Sequence, residues 1–216
     1  LQDDIKDYKE KLSADNRLLL DNIFKFFTQA DVDVCCGYAK HYLPTFKQPE
    51  VRMMLVSYAA MEAVHQEAYS LLLETLGKSD DQYQEFFEIQ EMVEKHEYLT
   101  DFNMSTPHEI AKTMAVYSGF TEGVQLFSSF AILLNYPRHN LMKGMGQIVA
   151  WSIRDESHHV ENMIKLLHCV LDEMPHVWHD DFKATLYQIC REMVDLEDKF
   201  IDLAFNLGPV EGLEPG

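Results

Sequence analysis

The sequence has few of the features that mark a secreted or membrane protein. Its four cysteines form no CxxC pair and no regular disulfide spacing, so we expect free thiols in the reducing environment of a cytoplasm. The longest apolar run that we find is residues 130–134, far short of the roughly 18 to 20 residues that span a bilayer. Neither a membrane helix nor a cleavable signal is therefore expected.

Positive charge is also scarce. The 216 residues include 18 Lys and Arg against 36 Asp and Glu, which leaves a formal net charge of −18. A chain this acidic repels nucleic acids and anionic membranes, so neither is an expected partner. Hydrophobic residues make up 47% of the sequence, which is enough for the core of one large domain.

The seven prolines and nine glycines divide the sequence into long segments of helical periodicity. No segment shows convincing alternation of polar and apolar residues between hairpin turns, so the predicted fold class is all-α. Capping residues, prolines and glycines set the helix ends. The six predicted helices run from Ser13 to about Tyr42, Gln48 to Gly77, Ser79 to about Thr100, Ser105 to before Pro137, about Leu141 to Glu173, and Pro175 to Gly208.

Four of these helices are about 28 to 33 residues long, well above the average of ~11 to 12 in globular proteins. Helices of this length must pack against each other along most of their length, which predicts a helical bundle. We expect residues 1–207 to form a single domain and residues 208–216 to begin a C-terminal tail.

A polar motif occurs twice in the predicted core helices. Glu62-Ala-Val-His65 in the second helix reappears as Glu156-Ser-His-His159 in the fifth, so both contain E-x-x-H. A spacing of three residues places both side chains of each motif on one helical face. Apolar residues surround both copies, which is not typical of a solvated face.

Each of the other two core helices contributes one acid in a mainly apolar setting, Asp31 in the first and Glu122 in the fourth. Asp31 precedes Glu62 by 31 residues and Glu122 precedes Glu156 by 34, so each pair would lie at a similar height on neighbouring antiparallel helices. Four carboxylates and two imidazoles would then meet inside the bundle.

Such a cluster requires cations, because buried carboxylates cost several kcal/mol each when unpaired. Two divalent metal ions would match four carboxylates in charge. Single acids from two helices and E-x-x-H from two others form the ligand set of ferritin-like di-iron and di-manganese proteins. Oxygen-rich ligation suits iron or manganese, whereas the lack of clustered thiolates argues against structural zinc.

Two segments carry a resemblance to a known family. Met61 to Tyr69 (MEAVHQEAY) and Arg154 to His159 (RDESHH) resemble segments of the radical-generating small (β) subunit of class I ribonucleotide reductase, a ferritin-like protein. The resemblance extends from about Phe26 to His168. It implies two metal ions per chain, Fe and/or Mn, one held by Asp31, Glu62 and His65, the other by Glu122, Glu156 and His159, with Glu62 and Glu156 bridging.

The resemblance also implies roles for two further residues. Tyr69 stands where the family has its radical tyrosine, and Asp155 matches an aspartate that hydrogen-bonds the ligand His65 and transfers the radical outward. Phe130 and Leu126 should form an apolar wall against Tyr69, but Ser152 adds a hydroxyl there. Some members of the family keep the oxidising equivalent on the metal pair, and in that case Tyr69 is a bystander.

The function implied by the resemblance is that of the small subunit of class I ribonucleoside-diphosphate reductase. It would generate and store a radical or one-electron oxidant and deliver it to a large catalytic subunit for deoxyribonucleotide synthesis. A homodimer is expected, and a flavoprotein activator is an open question. The family's upstream tryptophan and C-terminal docking peptide have no counterpart here, so we expect the chain to be part of a longer protein.

Three alternatives stay open on the residues alone. A di-metal oxidase or oxygenase on the same scaffold would act on a small organic substrate and would need an apolar channel to the metals. A ferritin-type storage protein would take up many ions per chain instead of two. A helical scaffold without metal would stay stable and soluble after Glu62 and Glu156 are replaced by Ala.

Overall fold

The computed structural model describes residues 1–78, 93–94, 103–206, 210 and 212–213. Within these residues the chain is helical and has no strand, which confirms the all-α prediction. The helices are α1 (Gln2–Lys6), α2 (Ala14–Gly37), α3 (Pro49–Thr75), α4 (Pro107–Met114), α5 (Phe127–Arg138), α6 (Lys143–Glu173) and α7 (Asp180–Asn206). None of these helices combines the length and apolar character that a membrane span requires.

Three π-helical segments and two short turns also belong to the described helical structure. The π-helical segments directly continue α1, α2 and α4, and they are Asp7–Lys11, Tyr38–Tyr42 and Ala115–Gln125. A short helical turn at Leu43–Thr45 precedes α3, and a 3₁₀ turn at Pro175–Val177 precedes α7.

Several predicted helix ends agree with the structure because local chemistry sets them. Ser13 Oγ accepts a hydrogen bond from Asn16 N at the start of α2, and Thr106 Oγ1 accepts one from Glu109 N at the start of α4. Gly77, just beyond α3, has the positive φ of 83° that a glycine adopts without strain. Nearly all of the predicted helix from Ser79 to Thr100 lies outside the described residues.

Other predicted boundaries are wrong. The fourth predicted helix was to end before Pro137, but α5 continues to Arg138 with Pro137 inside its last turn. There the proline ring packs against Gly146, where a Cβ atom would collide with it. The last helix starts at Asp180 instead of Pro175, and His179 Nδ1 accepts a hydrogen bond from Phe182 N at its first turn.

Packing brings the helices that carry the candidate ligands close together. α2 runs along α3, while α6 packs against α5 and against the π-helical segment 115–125. Gly119 and Gly123 face α6 in this second contact, where a Cβ at Gly119 would lie at ordinary contact distance, 3.4 Å, from Ile164 Cδ1, and one at Gly123 would lie 3.6 Å from Val160 Cγ1. The residues between these glycines therefore lie next to α6.

The N-terminal helix, which the sequence did not predict, caps the helix that carries the second E-x-x-H motif. The residue before α6, Met142, has a left-handed φ of 50° and gives no side-chain cap. Asp4 instead accepts hydrogen bonds from Gly144 N at 3.0 Å and Met145 N at 2.9 Å. Asp7 Oδ2 accepts another from Met142 N at 3.0 Å. Carboxylates at a helix N-terminus also interact favourably with its dipole.

We expect Asp4→Ala to lower the free energy of unfolding by about 1–3 kcal/mol, because two helix amides would lose their acceptor in a buried position. Chemical denaturation monitored by circular dichroism measures this loss. Asp3→Ala is the matched control, since Asp3 is an exposed acid on the same helix. Equal stability of the two variants would show that Asp4 does not cap α6.

Candidate metal centre

The six predicted ligands meet in the interior of the bundle. They come from four segments of the fold: α2, α3, the π-helical segment 115–125, and α6. None of the six side chains is more than 4% exposed. The six are Asp31, Glu62, His65, Glu122, Glu156 and His159.

These residues form two overlapping clusters with the spacing of metal ligands. Ligand atoms of Glu62, Glu122, Glu156 and His159 all lie within 4.8 Å of one another, and so do those of Asp31, Glu62 and His65. Glu62 belongs to both clusters. This arrangement has the geometry expected of two adjacent ion sites that share a carboxylate.

Both motif glutamates lie between the two imidazoles. His65 Nδ1 is 3.4 Å from Glu62 Oε2 and 3.0 Å from Glu156 Oε1. His159 Nδ1 is 2.9 Å from Glu62 Oε1 and 3.5 Å from Glu156 Oε2. Each glutamate therefore approaches the imidazoles of both motifs.

Each of the six residues also has an unsatisfied polar atom, although buried polar atoms normally have partners. Some of these atoms approach each other closely, but without hydrogen-bond geometry. Among the described residues, the buried side-chain atoms of the six that make no hydrogen bond are Asp31 Oδ2, Glu62 Oε1, His65 Nδ1, Glu122 Oε2, Glu156 Oε2 and His159 Nδ1. Four carboxylate oxygens and two imidazole nitrogens form a donor set that fits a pair of Fe or Mn ions.

Burial and mutual repulsion shift the pKa values of this cluster strongly. Burial raises the pKa of Asp31 and Glu122 well above the ordinary values, and the charges of Glu62 and Glu156, respectively, add to the effect. Burial opposes protonation of His65 and His159, but the nearby glutamates raise the pKa of His65 to about 11 and that of His159 to about 10. The two imidazoles therefore hold protons at neutral pH where metal ions would bind.

Asp155 lies directly outside the cluster. Its Oδ2 is 3.4 Å from His65 Nε2, a long contact on the side of the ring that faces away from Glu62. Its other oxygen, Oδ1, accepts a hydrogen bond from Arg154 Nε at 2.9 Å. A carboxylate in this position orients an imidazole so that its other nitrogen points toward a metal.

Tyr69 is 1% exposed and lies one turn beyond His65 on α3. Its hydroxyl donates a hydrogen bond to Ser152 Oγ at 3.0 Å, in agreement with the expected hydroxyl near this phenol. Its ring stacks on Phe27 at 5.0 Å between centroids, and Phe27 stacks in turn on Phe130 at 4.8 Å. Phe27 is therefore the aromatic wall against Tyr69, with Phe130 behind it.

Two other tyrosines contact the cluster, and the sequence did not identify either. The hydroxyl of Tyr38 donates a hydrogen bond to Glu122 Oε1 at 2.7 Å. The ring centroid of Tyr58 lies 4.2 Å from that of His159. Helical spacing could have found both, because Tyr38 follows a predicted ligand by two turns and Tyr58 precedes another by one turn.

A surface cavity of about 360 Å³ reaches the cluster from the side of α6. Its lining includes His159 and Tyr58 together with Arg154, Asp155 and His158. Ser57, Tyr58 and Met61 of α3 complete the lining, so the cavity reaches His159 between α3 and α6.

Comparisons with known proteins agree with this chemistry. A family profile described as the small chain of ribonucleotide reductase matches residues 1–215. The chain is 46% identical over 228 aligned positions to a probable ribonucleoside-diphosphate reductase small subunit of Invertebrate iridescent virus 6, covering 95% of this chain and 62% of that protein. It is 44% identical to the corresponding probable subunit of Invertebrate iridescent virus 3, covering 99% of this chain and 61% of that protein. The chain therefore spans less than two thirds of the length of these curated relatives.

The fold of the chain is also similar to that of a solved structure. The ribonucleotide reductase R2 subunit from Clostridium botulinum superposes with a TM-score of 0.91 at 21% sequence identity, covering all of this chain and 69% of that one. At this level of identity the superposition shows a shared helical architecture.

Proposed function

Because the chain belongs to the small-chain family of ribonucleotide reductase, we propose that it is the small subunit of a class I ribonucleoside-diphosphate reductase. The observation that carries this proposal is the set of unsatisfied atoms, one from each of six buried ligands on four helical segments. Two ions per chain, Fe and/or Mn, would satisfy them. Asp31, Glu62 and His65 would hold one ion and Glu122, Glu156 and His159 the other, with Glu62 and Glu156 bridging.

The metal pair, when bound, supplies a strong one-electron oxidant. The surrounding residues of the chain keep that oxidant from reacting with solvent and provide its exit. Tyr69 is buried and stacked on Phe27, so its phenol is held away from water. Asp155 orients His65 from outside the cluster, as a residue of the outward radical route would. Catalysis then requires a large subunit that accepts the oxidising equivalent and reduces the ribonucleotide.

A second copy of the chain is also part of the proposal, and an exposed apolar face of α3 supports it. Met53, Val56, Val64 and Leu71 are between 51% and 67% exposed. Their spacing places all four on one side of the helix. Apolar faces of this kind mark protein–protein interfaces. A flavoprotein that supplies the oxidant is a further proposed partner, and adding one to the activity assay tests whether activation needs it.

The oxidase alternative lacks an observation in its favour. The curated relatives at 44–46% identity are named as probable reductase small subunits. Oxygen-dependent product formation by this chain alone, without a large subunit, would be the result that favours an oxidase. Uptake of many ions per chain would favour storage.

Tyr69→Phe tests the proposed radical tyrosine. We expect this variant to keep two metal ions, because the Tyr69 hydroxyl bonds Ser152 and no ligand. It should lose the tyrosyl radical signal in electron paramagnetic resonance, and deoxyribonucleotide formation with the cognate large subunit should fall to background. Tyr136→Phe is the control, because Tyr136 is also buried but bonds Asn16 instead.

Full turnover by Tyr69→Phe would overturn the tyrosyl version and assign the oxidant to the metal pair. A wild-type protein that binds two ions but gives no deoxyribonucleotide with its complete partners would overturn the proposed function itself.

A further inference from the structure

We propose that Tyr38 is a positioning residue for Glu122, and that its hydrogen bond orients this carboxylate for one of the two metal ions. This inference rests on the proposed dinuclear centre and concerns the pre-formed shape of one half of it. The residue acts through Glu122 and touches no ion itself.

The hydrogen bond from Tyr38 gives the two carboxylate oxygens of Glu122 different roles. Oε1 accepts the hydrogen bond from the Tyr38 hydroxyl at 2.7 Å, whereas Oε2 is buried and makes no hydrogen bond among the described residues. A hydroxyl that donates to a carboxylate forms one of the stronger hydrogen bonds in proteins. One oxygen is therefore anchored while the other stays available to a metal ion.

The orientation of Glu122 depends on this hydrogen bond more than the orientations of Glu62 and Glu156 depend on any single contact. Glu62 and Glu156 each approach both imidazoles at 2.9–3.5 Å, so neighbouring ligands define their positions. Glu122 instead lies in the π-helical segment 115–125, and among the described residues it takes a hydrogen bond from Tyr38 alone. π-Helical segments often occur at functional sites, where they redirect side chains.

Tyr38 is itself rigidly held. Its side chain is fully buried, at 0% exposure. Its ring packs against the rings of Tyr42 at 5.6 Å, Tyr58 at 5.8 Å and Tyr117 at 6.3 Å between centroids. The ring also meets His159 edge-on at 6.2 Å and 79°. A donor fixed in this way limits the rotation of the carboxylate that it contacts.

Tyr38→Phe removes the hydroxyl and keeps the ring. We expect wild-type protein to bind two Mn²⁺ ions, and the variant to bind one with unchanged affinity and the other about 10–100-fold more weakly, the usual effect of losing such a supporting contact. Titration of the metal-free full chain with Mn²⁺, with unbound Mn²⁺ followed by electron paramagnetic resonance, measures both affinities without any assay of turnover.

Tyr42→Phe is the matched control. Tyr42 belongs to the same π-helical segment and the same aromatic cluster, but its hydroxyl donates to the backbone oxygen of Thr113. This variant should bind both ions as the wild type does. Replacing Tyr38 with 4-aminophenylalanine, which keeps a donor at that position, should restore the second ion, and 4-methylphenylalanine, which fills the space without a donor, should not.

The 4-methylphenylalanine variant also keeps the test valid if Tyr38→Phe fails to fold because of a cavity. Equal binding of both ions by the wild type and the Tyr38 variants would overturn the role of Tyr38 and leave the metal centre intact. An equal loss of affinity for both ions would also overturn the role of Tyr38. Wild-type protein that binds no Mn²⁺ would overturn the proposed centre and this inference together.

Discussion

Glu156→Ala is expected to remove both metal ions from the chain and with them any radical signal, whereas His159→Ala is expected to keep one ion. The difference between the two variants follows from the positions of Glu156 and His159 in the cluster. Glu156 approaches His65 at 3.0 Å and His159 at 3.5 Å, so its loss affects both halves of the cluster. His159 belongs only to the half that contains Glu122.

The stability of the metal-free protein gives this prediction a second readout. Burial opposes ionisation of Glu156, but the two histidines lower its pKa below the ordinary value, so it is the anion that pairs with both imidazoles. Its removal leaves the two imidazoles to share Glu62, so one buried positive charge is in excess, which costs roughly 3–5 kcal/mol. The variant should therefore unfold at lower denaturant concentration even without metal.

Elemental analysis of the purified variants after loading measures the metal content directly. Glu161→Ala is the control, because Glu161 lies on the same helix but is exposed and pairs with Lys165. This control should retain two ions. Two ions in Glu156→Ala would remove Glu156 as a bridging ligand, and zero ions in His159→Ala would show that the two halves do not bind metal separately.

The second prediction with a large expected effect is the release of protons when the metal ions bind. We expect loading of two divalent ions near neutral pH to release at least two protons per chain, from His65 and His159, and the raised pKa values of Asp31 and Glu122 favour further release. Burial and neighbouring carboxylates raise the pKa of both acids well above the ordinary values. The pKa of His65 is about 11 and that of His159 about 10, because nearby glutamates outweigh the effect of burial.

This exchange makes metal affinity steeply dependent on pH. The overall constant for loading both ions should rise about tenfold per pH unit for each proton released, or roughly 100-fold for the two histidine protons. Isothermal titration calorimetry in buffers of different ionisation enthalpy counts the protons. Release of no proton or of one would contradict the account.

The metal-free protein should respond to pH in the opposite sense. The two histidines have raised pKa values in the folded state, so their stabilisation is complete below the ordinary histidine pKa of ~6.5 and is lost as the pH rises toward 10 to 11. The raised pKa values of Asp31 and Glu122 act in the same direction above their ordinary values. Bound metal should reverse this trend.

The sequence predicted which residues form the buried cluster because their signal is local. The E-x-x-H spacing puts Glu62 with His65 and Glu156 with His159 on one face of each helix, whatever the neighbouring helices do. Similar separations along the chain then matched Asp31 with one motif. The caps of α2 and α4 were predicted for the same reason, since they depend on side chains within the first turn.

The features that the sequence did not predict depend on distant contacts. Residues 2–11 are rich in charge and look solvated, but Asp4 bonds amides 140 and 141 positions further along the chain. The hydrogen bond from Tyr38 to Glu122 spans 84 positions. The π-helical geometry around Glu122 likewise has no local sequence signal, because it depends on how that segment packs against α6.

Anomalous X-ray diffraction from crystals of the Mn²⁺-loaded protein is the most direct measurement of the proposed centre. Two peaks should appear about 3.5–4 Å apart, surrounded by the six side chains, with Glu62 and Glu156 in contact with both. Absence of anomalous density among these side chains at full Mn²⁺ loading, with strong peaks elsewhere, would contradict the account.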